Sequence, residues 1–323
     1  MTFDNIIGHN RQKKQLKHAW TSKRLAHAYL FTGAEGVGKR LMAMALVRLI
    51  FCEQQTGCGT CTACRRLDHN NHPDLYILEP DGAQIKIEQV RQLQKELSHP
   101  PLEAPRRICI IDEADRLNSA AGNALLKTLE EPRIDIMLIL VSAHPGQMME
   151  TILSRCQKLP FSRLDQNMIS TVLAEQKLDV NQSRIIAALS EGSLKKALGS
   201  DREFFIEQRK EIFKAICVLT PTSIVPMLEL AEKLAANKDQ LEDLTWILLS
   251  CYRDVFLIVR KASPSLLTNI DIEHQLRTQA QKETPLSIQH KLDAILTCRN
   301  HLLRNVNKQL ALEVLLIRLT RPT

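Results

Sequence analysis

The amino-acid sequence predicts an α/β domain built on a doubly wound parallel sheet, followed by an all-α region. Three features carry the prediction. Five apolar runs of strand length alternate with helical stretches as far as residue 162. A glycine-rich turn joins the first run to a helix, and from residue 164 onward the pattern is helical. Strands that alternate with helices are joined by crossovers, which set the strands parallel and cover both faces of the sheet.

The elements follow in order. "AYLFTG" (28–33) reads as a buried strand running into the turn, and "KRLMAMALVRLIF" (39–51) has the apolar density and length of a helix. "DLYILEP" (74–80), "RICIID" (107–112), "IDIMLILVSA" (134–143) and the short "CQKLPF" (156–161) supply the other strands. Helices are expected over 88–98 and 119–130, the second capped by Asn118 or Ser119 and stopped by Pro132. Residues 164–200 read as a small helical bundle punctuated by Gly192 and Gly199. Residues 203–323 hold longer amphipathic helices, among them "LEDLTWILLSCYRDVFLIV" and "NKQLALEVLLIRL".

The chain has 323 residues, 44% apolar and 24% charged, ordinary for a globular protein with a real core. Aromatic residues, at 4%, are too scarce for a surface built on base stacking. The longest apolar run, Ile136 to Ala143, is far short of the ~18 residues of a membrane helix. The start "MTFDNIIGHNRQKKQLK" lacks the apolar core and cleavage site of a signal peptide. A cytoplasmic protein is expected, its nine cysteines present as thiols or metal ligands. The net charge of +7 sits within residues 1–50, where Arg11, Lys13, Lys14, Lys17, Lys23, Arg24, Lys39, Arg40 and Arg48 oppose only Asp4 and Glu35. Such a segment reads either as a patch facing DNA or an acidic partner, or as a solvated helix face plus a phosphate site.

"GAEGVGKR" places Gly33, Gly38 and Lys39 at phosphate-loop spacing, but its last position carries Arg40 where the pattern calls for a hydroxyl to hold Mg²⁺. A guanidinium has donors and no acceptor, so it cannot serve as that ligand. Gly33, Gly36, Gly38 and Lys39 could still cradle phosphates through backbone N–H groups and the helix N-terminus. "RRICIIDEAD" puts Asp112 and Glu113 at the carboxyl end of a strand, where an Asp holds Mg²⁺ and a Glu can polarise water. Ser142 ends the fourth strand, as a phosphate sensor or simply a cap. Arg155, in "ILSRC", lies between a loop and a strand, where an ordinary salt bridge is the plain expectation.

Cys52, Cys58, Cys61 and Cys64 are spaced C-x₅-C-x₂-C-x₂-C, with Gly57 and Gly59 between them. A tight knuckle of this kind can present thiolates tetrahedrally to structural Zn²⁺. An iron–sulfur run would continue differently after Cys64, where this chain reads "RRLDH", and a redox pair would leave other cysteines unused. Cys52 is the open position, since His69 or His72 could supply the fourth ligand instead. Cys109, Cys156, Cys217, Cys251 and Cys298 sit in apolar contexts and read as core.

Together and in this order, "FDNIIGHNRQKKQL", "LAHAYLFTGAEGVGKR", "CGTCTACRRLDHNNHPDLYILEP", "SAAGNALLKTLEEP", "ILSRCQKLPF" and "NVNKQLALEVLLIRL" resemble the bacterial clamp-loader ATPase family of the AAA+ class. The resemblance spans nearly the whole chain. It implies an ATPase core over 1–162 with a zinc module near 52–64, a helical lid over 163–202 and a helical collar over 203–323 that mediates oligomerisation. It also implies a hetero-pentameric ring with gamma/tau-type and delta-type subunits, acting on a sliding clamp and primed DNA. Any nucleotidyl transfer belongs to the polymerase holoenzyme as a whole.

In such rings each ATP site lies at a subunit boundary, and the Arg of Ser-Arg-Cys reaches across as an arginine finger, which here is Arg155. The family's working ATPase subunits carry Thr at position 40 and an Arg where this chain has Lys195. Glu113 is then vestigial, nucleotide binding weak or absent, and hydrolysis in the chain's own site not expected. Two alternatives stand beside this reading: a gamma/tau-like subunit that does hydrolyse ATP, and a DNA-processing AAA+ motor unrelated to clamps. Arg40 disfavours the first; the cysteine knuckle and collar-like C-terminus disfavour the second.

Overall fold

The computed structural model describes residues 2–176, 178–199, 204–237, 241–302, 304 and 306–321. The expected boundary between lid and collar, at 202–203, lies outside the described residues. The chain forms two compact units, one made of Met1–Met168 with Gly192–Lys195, the other of Ile169–Glu191 with Lys196–Thr323.

In the first unit the order is α1 (Asn10–Thr21), β1 (Ala28–Thr32), α2 (Lys39–Phe51), α3 (Thr62–Asp68), β2 (Leu75–Leu78), α4 (Ile87–Leu97), β3 (Arg107–Ile111), α5 (Ser119–Glu130), β4 (Ile136–Ser142), α6 (Glu150–Leu153) and β5 (Gln157–Pro160). The sheet runs β2-β3-β4-β1-β5, and every pairing is parallel. Each of the five apolar runs is a strand of this sheet.

β1, β3 and β4 are buried along almost their whole lengths because both faces are covered, as parallel sheets require. Side chains alternate between the two faces. Tyr29, Phe31, Ile108, Ile110, Ile139 and Val141 join α2 residues such as Met42, Leu46 and Ile50 in one core. Leu30, Cys109, Ile111, Leu138 and Leu140 join Val90 and Leu93 of α4 and Leu125 and Leu129 of α5 in the other. Only β5 is largely exposed; it lies at the edge and ends in Pro160, where no ladder donor is needed. Asn118 caps α5, its side chain accepting from Ala121 N at 2.8 Å.

Asp74, fully buried just before β2, organises the approach to the sheet. Its carboxylate accepts backbone N–H bonds from Leu102 (2.7 Å), Glu103 (2.8 Å) and Ala104 (2.8 Å). Burial opposes its ionisation, but these donors outweigh it and hold the group below the usual carboxylate range.

The second unit is helical: α7 (Gln166–Glu175) and α9 (Leu194–Leu198) run across the division, and α8 (Val180–Leu189), α10 (Arg209–Val218), α11 (Ile224–Ala236), α12 (Leu241–Val259), α13 (Glu273–Ala280), α14 (Pro285–Leu302) and α15 (Lys308–Thr320) lie within it. On α12, Leu244, Ile247, Leu248, Cys251, Tyr252 and Val255 recur at helical spacing and pack in a core with Ile288, Ile295 and Cys298 of α14. Arg209 is fully buried there, bonded to Phe205 O (2.8 Å), Asn269 Oδ1 (2.6 Å) and Asp271 (2.6 and 2.8 Å). Asp271 supplies the opposing charge, and Asn269 in turn donates to the buried Asp254. No described helix is long and apolar enough to cross a membrane.

Candidate functional site

The carboxyl ends of β1, β3 and β4, adjacent in the parallel sheet, bring the expected nucleotide-type residues to one end of it, the usual ligand position in an open parallel sheet. Gly33, Gly36 and Gly38 all have positive φ, at +146°, +75° and +104°. A side chain at Gly33 would collide with the Phe161 carbonyl, and one at Gly36 with the Ser193 hydroxyl. The peptide of Gly36 also accepts from Leu194 N at 3.0 Å, which sets α9's first residues directly on the loop.

Lys39 is buried, and its ammonium donates to the loop's own carbonyls, Gly33 O at 2.6 Å and Ala34 O at 2.7 Å. Burial lowers its pKa, partly opposed by Asp112 and Glu35. Arg40 lies against Asp112 Oδ2 at 3.0 Å and also pairs with Glu79. The cation facing the Mg²⁺-type acid is therefore part of the chain itself. Glu79, just beyond β2, is a site residue that motif reading missed. Its partner reveals it only in three dimensions.

Glu113 has left-handed backbone geometry, φ 48°, and its carboxylate pairs with Arg116 at 2.7 Å. Ser142 is fully buried at the end of β4, and its hydroxyl has no hydrogen-bond partner among the described residues. Lys195 pairs with Glu35 at 2.7 Å across the mouth of the loop. His9, also missed, is buried beside the loop; its Nε2 is 2.8 Å from Val37 O and its ring packs edge-on to Phe161. Burial holds its pKa below the usual imidazole value.

Arg155 follows α6 and precedes β5, toward the opposite end of the parallel sheet from these residues. It is about one-third exposed, with Nη2 2.7 Å from Glu130 Oε1 and Nη1 donating to Thr151 O at 3.0 Å and Ser154 Oγ at 3.3 Å.

The cysteine knuckle spans the end of α2 and the start of α3. The sulfurs of Cys52, Cys58, Cys61 and Cys64 all lie within 4.8 Å of one another, and Cys61 Sγ is 4.0 Å from Cys52 Sγ. A tetrahedral ZnS₄ site with ~2.3 Å bonds needs S···S separations of ~3.8 Å, so the set fits such an ion. Gly57 and Gly59, at φ +74° and +76°, make the turns that bring the thiols together. The N–H of Cys58 points to Cys52 Sγ and that of Cys61 to Cys58 Sγ, each at 3.4 Å. Burial raises the Cys52 pKa, but backbone donors outweigh it and bring the thiol to about 6. The buried Arg48 of α2 pairs with Asp68 of α3 and ties the two helices together under the knuckle. His69 and His72 lie outside the cluster; His72 packs on the Phe51 ring and accepts from Asp74 N. The other five cysteines have thiols that burial raises above the ordinary value.

Comparison with known proteins identifies relatives along nearly the whole chain. A family model described as DNA polymerase III, delta subunit, matches residues 8–165, and a companion model for the C-terminal part of that delta subunit matches 203–321. DNA polymerase III subunit delta′ of Bacillus subtilis is 33% identical over 314 residues, covering 96% of this chain and 95% of that one. Subunit tau of the same organism is 31% identical over 206 residues, covering 61% of this chain and 36% of tau. A DNA polymerase III gamma subunit-related protein of Thermotoga maritima superposes with a TM-score of 0.47 at 16% identity, covering 95% of this chain and 98% of the other. Identity at this level over nearly the full length of a delta′ subunit decides the matter: the chain belongs to the DNA polymerase III delta′ family of clamp-loader subunits.

Proposed function

We propose that this chain works within a hetero-pentameric clamp loader beside gamma/tau-type and delta-type subunits. It lends an arginine to a neighbour's ATP site and does not hydrolyse ATP in its own. The observation that carries this reading is the Arg40 guanidinium, which faces Asp112 and Glu79 where a hydroxyl and Mg²⁺ would be required. The ring helps open the sliding clamp and place it on primed DNA, in the cytoplasm at the replisome. Residues 163–202 serve as the lid and 203–323 as the collar that joins neighbours. Cys52, Cys58, Cys61 and Cys64 hold one structural zinc, which cross-links α2 and α3 and does no chemistry.

Arg155 is the working residue. Its guanidinium is partly exposed beyond the fourth strand, where it can meet a phosphate supplied from across a subunit boundary. A positive fork aimed at the γ-phosphate stabilises charge as it spreads over the transferred group. The test is a ring reconstituted with Arg155→Ala. Folding and assembly should persist, while clamp- and DNA-stimulated ATP hydrolysis falls by up to about 10³-fold at the boundary this arginine serves. Arg155→Lys should rescue poorly, because an ammonium lacks the planar two-donor fork. Wild-type hydrolysis and loading rates in the Arg155→Ala ring would leave Arg155 as a plain salt-bridge arginine.

A further inference from the structure

We infer that Glu130 is a positioning residue for Arg155, holding the guanidinium in one orientation at the surface before a phosphate arrives. The inference rests on Arg155 acting in trans.

The geometry is a three-point hold across two helices. Glu130 is the last residue of α5 and reaches Nη2 at 2.7 Å. Thr151 O, on α6, and Ser154 Oγ, just after it, take Nη1 at 3.0 and 3.3 Å. Both supports are themselves fixed. Gln94 of α4 donates to Ala124 O (2.7 Å) and Thr128 Oγ1 (3.2 Å), which pins the last turns of α5. Gly122 lets α6 approach closely: a side chain there would sit 2.7 Å from Met149 Sδ and 3.6 Å from Ile152 Cδ1.

Arginine has four flexible bonds and loses much freedom when it must point one way. A partner on a rigid helix removes that freedom before the phosphate binds, so less is lost at the transition state. The pair is partly exposed, 36% for Arg155 and 48% for Glu130, so it adds little to stability. A contact that stabilises so little but orients so fully is better explained by where it places the arginine.

The experiment is a double-mutant cycle in the reconstituted ring, reading steady-state ATP hydrolysis with clamp and primed DNA. Glu130→Ala should lower kcat at the served boundary about tenfold, since only orientation is lost, with KM for ATP unchanged. Glu130→Gln keeps an acceptor oxygen in place and should restore most of the rate. In an Arg155→Ala background, Glu130→Ala should have no further effect. Wild-type kcat in Glu130→Ala, or a fully additive loss in the double variant, overturns the positioning role while leaving the finger intact. An inert Arg155→Ala overturns both, and a drop in melting temperature that accounts for the lost rate makes Glu130 structural.

Discussion

Arg40→Thr restores the hydroxyl that the phosphate-loop pattern calls for and removes a guanidinium held by two carboxylates. In the wild-type chain one nitrogen, Nη1, contacts Asp112 at 3.0 Å and also Glu79, so the two carboxylates are brought close. Two unit charges about 5 Å apart repel by ~0.8 kcal/mol in bulk water and ~3 kcal/mol at an effective dielectric near 20. Glu79 is half-exposed and Asp112 only 17% exposed, which places the pair between those limits. Removing Arg40 therefore leaves roughly 1–3 kcal/mol of repulsion that a divalent cation would relieve, a gain of about 5- to 150-fold in metal affinity. Calorimetric titration with Mg²⁺-ATP and with ATP plus chelator reads this directly. The wild-type chain should show weak binding with little Mg²⁺ dependence, and Arg40→Thr should bind more tightly only when Mg²⁺ is present. Turnover should stay negligible, because Lys195 is still committed to Glu35 and the isolated chain has no neighbouring subunit to lend an arginine. Tight, Mg²⁺-dependent ATP binding by the wild-type chain would refute the argument that Arg40 displaces the metal.

Elemental analysis of protein purified without added metal should find about one zinc per chain and no iron, the content of a single four-thiolate site. Cys52→Ala should lose most of that zinc, whereas His69→Ala and His72→Ala should keep it. Asp74→Asn should cost about 2–3 kcal/mol in urea unfolding, since an amide nitrogen would face one of three backbone donors now bound to a carboxylate. The folded pKa of Asp74 lies below the unfolded value of ~3.9, so its stabilisation is complete above about pH 5 and is lost as pH falls through the folded value. Asp74→Asn should accordingly flatten the wild-type loss of stability below pH 5.

Periodicity made the architecture legible. The five runs became five strands, the central three because burial on both faces favours such apolar runs, and helix 39–51 appeared with the bounds its pattern indicates. The knuckle was also local: four thiols within thirteen residues converge through two glycine turns, so spacing alone could nominate them. Sequence left Cys52 open against two histidines. Folding sets His72 against Phe51 and turns Cys52 toward the other sulfurs, a choice made by how α2 ends.

What the sequence by itself determined, then, was the layered sheet, the helical remainder, the knuckle and the missing hydroxyl at position 40. Each depends on neighbours within one element or one turn. The partners of the charged groups were decided by tertiary structure. Glu79 meets Arg40, Glu35 meets Lys195 and Glu130 meets Arg155 across 39, 160 and 25 positions of chain, taken as differences of residue number. A carboxylate carries no local signature of the cation it will face, because Coulomb attraction depends on distance in space and on burial, and only packing of the helices on the sheet sets those.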